Sequence, residues 1–146
     1  MEAETILELE TTLDDCSPQV IGYVLERALA LGALDAYTTP VQMKKSRPGV
    51  LLTLLARPEL REPLLDLLLT ETTTLGVRVR SSERMICERR TATVNTVYGA
   101  IRVKLSGARA FPEYEDCRAA ARRQGVPLRR VQEAALGGLH SRPESK

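Results

Sequence analysis

Between Thr5 and Arg80 the hydrophobic pattern changes period in an order that admits few folds. Leu7 and Leu9 alternate with Glu8 and Glu10, so Thr5 to Glu10 reads as a strand with one apolar and one charged face. A helix follows. Ser17 stands as its N-cap, Pro18 fits the first helical position, and Asp14 and Asp15 lie near the positive end of its dipole. Ile21, Val24, Leu25, Ala28 and Leu29 recur on one helical face until Gly32, which offers a C-terminal stop. Ala36 to Gln42 reads as an edge strand, because Pro40 cannot donate to a ladder, and the unbroken apolar run Val50 to Ala56 reads as a buried central one. Pro58 opens a second helix with Leu60, Leu64, Leu67 and Leu68 on a shared face, ending near Thr70. Leu75 to Arg80 then alternates again, Val77 and Val79 opposite Arg78 and Arg80.

Strand, helix, strand, strand, helix, strand within about 80 residues is the order of a ferredoxin-like split βαβ sandwich, an α+β fold with two helices on one face of an antiparallel sheet. Thr91 to Val97 and Ala100 to Leu105, joined at Tyr98-Gly99, read as an added β-hairpin that extends the sheet or makes a subunit contact. Glu115 to Gln124 and Pro127 to Leu136 read as C-terminal helices separated by Gly125. The expected organisation is a ferredoxin-like domain with its hairpin over residues 4–106, a helical extension over 107–140 and a flexible tail over 141–146.

Composition narrows the chemistry. A single histidine, His140, excludes a histidine-rich metal cage, and an aromatic share of 3% with no tryptophan excludes a broad base-stacking platform. His140, past the last expected helix and without a visible partner, reads as a surface residue. The formal charge of +2 conceals an asymmetry: the first 26 residues hold seven acids and no base, while the remainder carries an excess of nine positive charges. That remainder favours an anionic partner, of which nucleic acid is one candidate. Its 17 arginines against 4 lysines fit bidentate anion recognition and fit a GC-rich coding sequence equally well. Three widely spaced cysteines without a CxxC pair argue against a disulfide framework or zinc knuckle and for a reducing cytoplasm. With no 18-residue apolar run and no basic leader, neither membrane insertion nor export is expected.

Three segments carry candidate chemistry. Met43-Lys44-Lys45-Ser46-Arg47-Pro48-Gly49 is a basic turn, stiffened by Pro48 and able to approach a ligand at Gly49; it suits a polyphosphate, and it also suits a solvated hairpin turn. In Glu71-Thr72-Thr73-Thr74-Leu75-Gly76-Val77-Arg78, hydroxyls and amides beside a glycine can hold phosphate oxygens. Glu71 there can position a divalent cation or a ribose hydroxyl, although a plain polar loop has the same composition and no Walker A pattern is present. The third segment, Pro112-Glu113-Tyr114-Glu115-Asp116-Cys117, places Glu113, Glu115 and Asp116 at a helix start. Oxygen ligands of this kind suit Mg²⁺ or Mn²⁺, and acids there also simply stabilise the helix. Asp14-Asp15 carries the same ambiguity. Cys117, beside acids, has no reason for a lowered pKa and makes a poor nucleophile.

Together, the run from Thr11 to Leu55 (TTLDDCSPQVIGYVLERALALGALDAYTTPVQMKKSRPGVLLTLL), then ETTTLGVR, YGAIRVK and PEYEDC, resembles the carboxy-terminal region of the LarC-type nickel insertion proteins, in the same order over about residues 4 to 140. The resemblance implies a CTP-dependent cyclometallase that places nickel into pyridinium-3,5-bisthiocarboxylic acid mononucleotide, maturing the nickel-pincer cofactor of lactate racemase while CTP becomes CMP and pyrophosphate. It implies that this region binds CTP with Mg²⁺ or Mn²⁺ and assembles as a homo-oligomer, a trimer or hexamer. It also implies that nickel is handled by an amino-terminal region or subunit and not by these residues. Under that implication Lys44, Lys45 and Arg47 lead as triphosphate ligands, followed by Thr73, Thr74 and Arg78, because a nucleotide with about four negative charges needs compensating cations. Glu71, Glu113, Glu115 and Asp116 are candidates for the cation, the ribose or structural roles, the cation being carried mainly by triphosphate and water. Cys16 stands where the family pattern usually has methionine, a change conservative in packing.

Two other classes remain. A ferredoxin-like domain can serve as a non-catalytic oligomerisation or small-ligand regulatory module, and the fold alone names no function. RNA binding through the basic later part of the chain is weakened by the scarcity of aromatics.

Overall fold

The computed structural model describes residues 1–140, with the side chain of His140 and the expected tail at 141–146 outside the described residues. Seven strands and four α-helices succeed one another among them: β1 (Glu2–Leu13), α1 (Pro18–Leu31), β2 (Asp35–Gln42), β3 (Pro48–Ala56), α2 (Arg61–Glu71), β4 (Arg78–Ile86), β5 (Arg90–Thr96), β6 (Gly99–Ser106), β7 (Arg109–Pro112), α3 (Tyr114–Gln124) and α4 (Leu128–His140). They divide into two compact units, Ala3–Ile86 and the residues from Cys87 onward with Met1 and Glu2.

The first unit is the ferredoxin-like α+β fold. Its sheet has the order β2-β3-β1-β4. Strand β3 lies between β1 and β2 and antiparallel to both, which splits the β1-α1-β2 crossover. Leu9 pairs with Leu54 and Leu7 with Ala56, so alternate positions of both strands face one layer. Helices α1 and α2 cover that face: Val24, Ala28, Leu64, Leu67 and Leu68 join Leu7, Leu9, Leu13, Leu52 and Leu54 in a single core. Burying an aliphatic side chain of this kind stabilises by roughly 1.5–3 kcal/mol relative to exposure. Ser17 Oγ caps α1 by accepting from the Gln19 amide, Pro18 opens the helix, and Gly32 ends it in the left-handed conformation at φ 104°. Strand β2 is at the sheet edge, as Pro40 requires, and β3 is central.

The second unit holds the three-stranded sheet β5-β6-β7 with α3 and α4 on one face. Ala120, Ala121 and Ala135 sit in its core beside Val94, Ile101, Val103, Cys117 and Val131. The expected hairpin is present, yet it does not extend the first sheet. Its strands pair with each other and with β7, a short strand that sequence periodicity did not reveal. The added alternation of β7 covers only four residues, too few for a periodic signal. Strand β4 also begins at Arg78 and not at Leu75, because the threonine run that precedes it is tied into a loop by its own hydroxyls. Helix α4 runs to His140 where a stop near Leu136 was expected, its Gly137 and Gly138 included. No described helix is long and apolar enough to cross a membrane.

Candidate functional site

The basic turn joins β2 to β3 and is closed by the Met43 amide, which donates to the Arg47 carbonyl at 2.8 Å. Lys45 and Ser46 both take left-handed backbone conformations, φ 60° and 57°. Non-glycine residues there cost roughly 1–2 kcal/mol each, and persist where surrounding structure fixes them. Gly49 is part of what fixes them. A Cβ at Gly49 would lie 2.7 Å from the Leu13 carbonyl oxygen and 2.5 Å from Met43 Sδ, so only glycine lets β1 and Met43 close on the start of β3. Lys44 and Lys45 are exposed and have no acidic partner among the described residues. Arg47 Nη1 lies 3.3 Å from Asp14 Oδ2.

The threonine loop between α2 and β4 reaches the same end of the sheet. Thr72 Oγ1 donates to the Leu68 carbonyl at 2.6 Å and accepts from the Thr74 amide at 3.2 Å. The hydroxyls of Thr74 and buried Thr11 are 2.5 Å apart, and each also reaches the Gly76 carbonyl, at 2.8 and 3.2 Å. The loop is thereby pinned to β1. Thr73 is turned away from this network and donates to Asp15 Oδ1 at 2.5 Å. Arg78 Nε is 3.8 Å from a Glu10 oxygen that Arg80 already holds at 2.7 Å, which leaves Arg78 the more weakly held cation.

Of the residues read from sequence, the structure therefore brings Arg47 and Thr73 onto two consecutive aspartates, Asp14 and Asp15, from turns 33 and 58 residues away. The Thr74 hydroxyl is spent inside its own loop, and Lys44 and Lys45 stand on the open side of the turn. What the sequence did not reveal is the joining role of Asp14-Asp15, weighed there only as a helix-dipole or metal pair. The available signal was their position directly after β1, the strand whose end faces the start of β3.

The acidic candidates do not converge. Glu71 is exposed at the last position of α2 in the first unit. In the second unit Glu113 pairs with Lys104 at 2.7 Å and Glu115 with Arg118 at 2.8 Å. Arg102 grips Asp116 through Nε at 2.9 Å and Nη2 at 2.7 Å, and its amide adds a third bond at 2.9 Å. Hydrogen bonds from this side chain and amide hold the Asp116 carboxyl down at about 2 and, reciprocally, raise the Arg102 guanidinium. Burial pushes the Cys117 thiol up, with Asp116 adding to the effect, which suits a core residue and not a nucleophile. Among the described residues no group of three or more His, Cys, Asp or Glu side chains is arranged to hold a metal ion.

Comparison with known proteins gives this geometry its context. A sequence model of the family described as nickel insertion protein matches residues 1–132. A relative in Gloeobacter violaceus is 47% identical over 145 residues, covering 95% of this chain and 34% of its own length. The pyridinium-3,5-bisthiocarboxylic acid mononucleotide nickel insertion protein of Acetivibrio thermocellus is 47% identical over 135 residues, covering 90% of this chain and 33% of its own. The chain thus spans about a third of the length of these curated relatives. Among solved structures, the apo C-terminal domain of a cyclometallase involved in the synthesis of the NPN cofactor of lactate racemase superposes with a TM-score of 0.89 at 39% identity, covering 96% of this chain and all of that one. A Methanopyrus kandleri protein shares the fold, with a TM-score of 0.70 at 22% identity over 94% of this chain and 90% of that one. With the motif order, the split βαβ sheet and these matches in agreement, the chain belongs to the nickel insertion protein family.

Proposed function

We propose that this chain is the CTP- and divalent-cation-binding part of a CTP-dependent nickel insertase that matures the nickel-pincer nucleotide cofactor of lactate racemase. The observation that carries the reading is the basic turn: Lys44 and Lys45 stand exposed and without acidic partners among the described residues, next to Arg47, on a turn whose Lys45 and Ser46 are held in the left-handed region. Two lysines on a strained turn do little for the fold, whereas they supply the charge that a triphosphate needs. Arg78, 3.8 Å from its Glu10 partner, offers a further cation at the same end of the sheet, and the Thr73 hydroxyl, held by Asp15 at 2.5 Å, a further polar group. Mg²⁺ or Mn²⁺ arrives on the triphosphate and keeps several waters, with Glu71 the acidic candidate of the first unit and Glu113, Glu115 and Asp116 serving the second unit as ion-pair partners.

In this reading CTP is cleaved to CMP and pyrophosphate while nickel, as cargo, is handled by an amino-terminal region or subunit. The protein works in the cytoplasm as a homo-oligomer. The test is calorimetry of this chain with CTP. Saturable binding is expected with Mg²⁺ or Mn²⁺ and not without them, and no heat with either cation would overturn the reading. Binding without release of pyrophosphate, assayed in the presence of the amino-terminal region, would move the function to a regulatory or assembly module.

A further inference from the structure

Asp14 and Asp15 pose a problem for a triphosphate site. Each contacts a group that would bind phosphate: Asp14 Oδ2 lies 3.3 Å from Arg47 Nη1, and Asp15 Oδ1 accepts from Thr73 Oγ1 at 2.5 Å. Any phosphate oxygen that reaches Arg47 or Thr73 also comes within a few ångströms of one of these carboxylates. Two like charges at about 4 Å repel substantially in the partly screened surroundings of a protein surface. A free nucleoside triphosphate, with about four negative charges, meets that repulsion in full. The same nucleotide carrying a divalent cation has half the charge and presents a positive centre toward the carboxylates.

Resting on the nucleotide reading above, we infer that Asp14 and Asp15 make the site discriminate the metal-bound triphosphate from the free one. They do so by electrostatic exclusion, while their hydrogen bonds hold the basic turn and the threonine loop at the end of β1. The cation requirement then comes from two negative charges already committed to the ligand groups, and needs no preformed metal cage. The arrangement in the structure supports this division: Asp14 is shielded, with 19% of its side chain exposed, and its Oδ2 lies 3.3 Å from Arg47 Nη1. The two lysines, in contrast, have no counter-charge among the described residues to set against an incoming phosphate.

The charge can be removed while the hydrogen bonds stay. In Asp14→Asn and Asp15→Asn the amide oxygen still accepts from Arg47 or Thr73. The reading is the ratio of the CTP dissociation constant in chelator, taken as a lower bound where no saturation is reached, to that in Mn²⁺, measured by calorimetry on the whole chain. Each substitution is expected to lower the ratio about tenfold, mainly by tightening metal-free CTP. Asp14→Glu, which keeps the charge, is expected to leave it near the starting value. A ratio that stays constant or rises in both Asn variants overturns the inference, since affinities that fall together with and without Mn²⁺ mark a purely structural tie. If Asp14→Asn does not fold, Asp15→Asn alone decides, its surroundings being exposed. Failure of the unaltered chain to bind CTP with Mn²⁺ removes the nucleotide reading itself, an outcome distinct from an unchanged ratio.

Discussion

Arg102 holds Asp116 at both carboxylate oxygens and again through its own backbone amide. The side-chain contact joins β6 to the first turn of α3, and it leaves the Asp116 carboxyl at about 2 against an ordinary 3.8. A depressed carboxylate contributes stability that is fully present above its unfolded pKa and is lost as pH falls through the folded value. The second unit is therefore expected to lose this contribution between about pH 4 and pH 2, with the Asp116 carbonyl carbon titrating at about 2 by NMR. Asp116→Asn should remove that part of the acid transition. A titration midpoint near 3.8 in the unaltered chain would count against the contact.

Lys45 offers a test with two opposite signs. Its left-handed backbone is natural to glycine, so Lys45→Gly is expected to stabilise the first unit by about 1 kcal/mol in urea unfolding. The same change removes a cation from the turn and should weaken CTP with Mn²⁺. Loss of affinity without gain of stability would show that the strain is absent.

The double change Lys44→Ala, Lys45→Ala is expected to weaken CTP by roughly 2–4 kcal/mol while leaving the fold intact, because neither lysine has an acidic partner to lose among the described residues. Calorimetry beside a thermal melt separates the two effects. An unchanged affinity would move the triphosphate away from the basic turn.

At Gly49 the limit is steric. Gly49→Ala drives a methyl into the Leu13 carbonyl, which as backbone cannot rotate away, and into Met43 Sδ, which can. Destabilisation of about 1–3 kcal/mol is expected, and Met43→Ala in the same chain should recover only part of it. Complete recovery in the double variant would mean that the sulfur, not the carbonyl, sets the constraint.

The cysteines should differ in reactivity. Cys87 is exposed, while Cys117 is buried with its thiol pKa raised. Iodoacetamide at neutral pH is expected to label Cys87 within minutes and Cys117 only in denaturant, as read by peptide mass spectrometry.

Much of the first unit was legible because its elements are long and strictly periodic. Leu7 and Leu9, the Ser17-Pro18 start, the Gly32 stop and the apolar run from Val50 each carry a local signal strong enough to stand without tertiary help. The start of β4 was misplaced because Thr72 and Thr74 bond to nearby backbone and delay the strand, a competition that alternation of Val77 and Val79 does not reveal. The separate second sheet was hidden for a different reason: strand pairing is non-local, and β5 and β6 would look the same paired to β4 or to β7. At the site, the motifs were visible one by one. Their meeting at Asp14 and Asp15 was not, since a hydrogen bond across 58 residues leaves no trace in spacing.

The insertion of β3 between β1 and β2 also has a bearing on a chain that is still emerging from the ribosome. Asp15 is made early, but its partner Thr73 and the Thr74 that pins Thr11 follow almost sixty residues later, after both helices and three strands. The basic turn can form as soon as β3 pairs with its neighbours, whereas the threonine loop, whose bonds run to Thr11, Asp15 and the Gly76 carbonyl, can close only once Gly76 has been made. On the nucleotide reading, a nascent or truncated chain ending before Thr72 would own the lysines without the loop that meets the basic turn at Asp14 and Asp15.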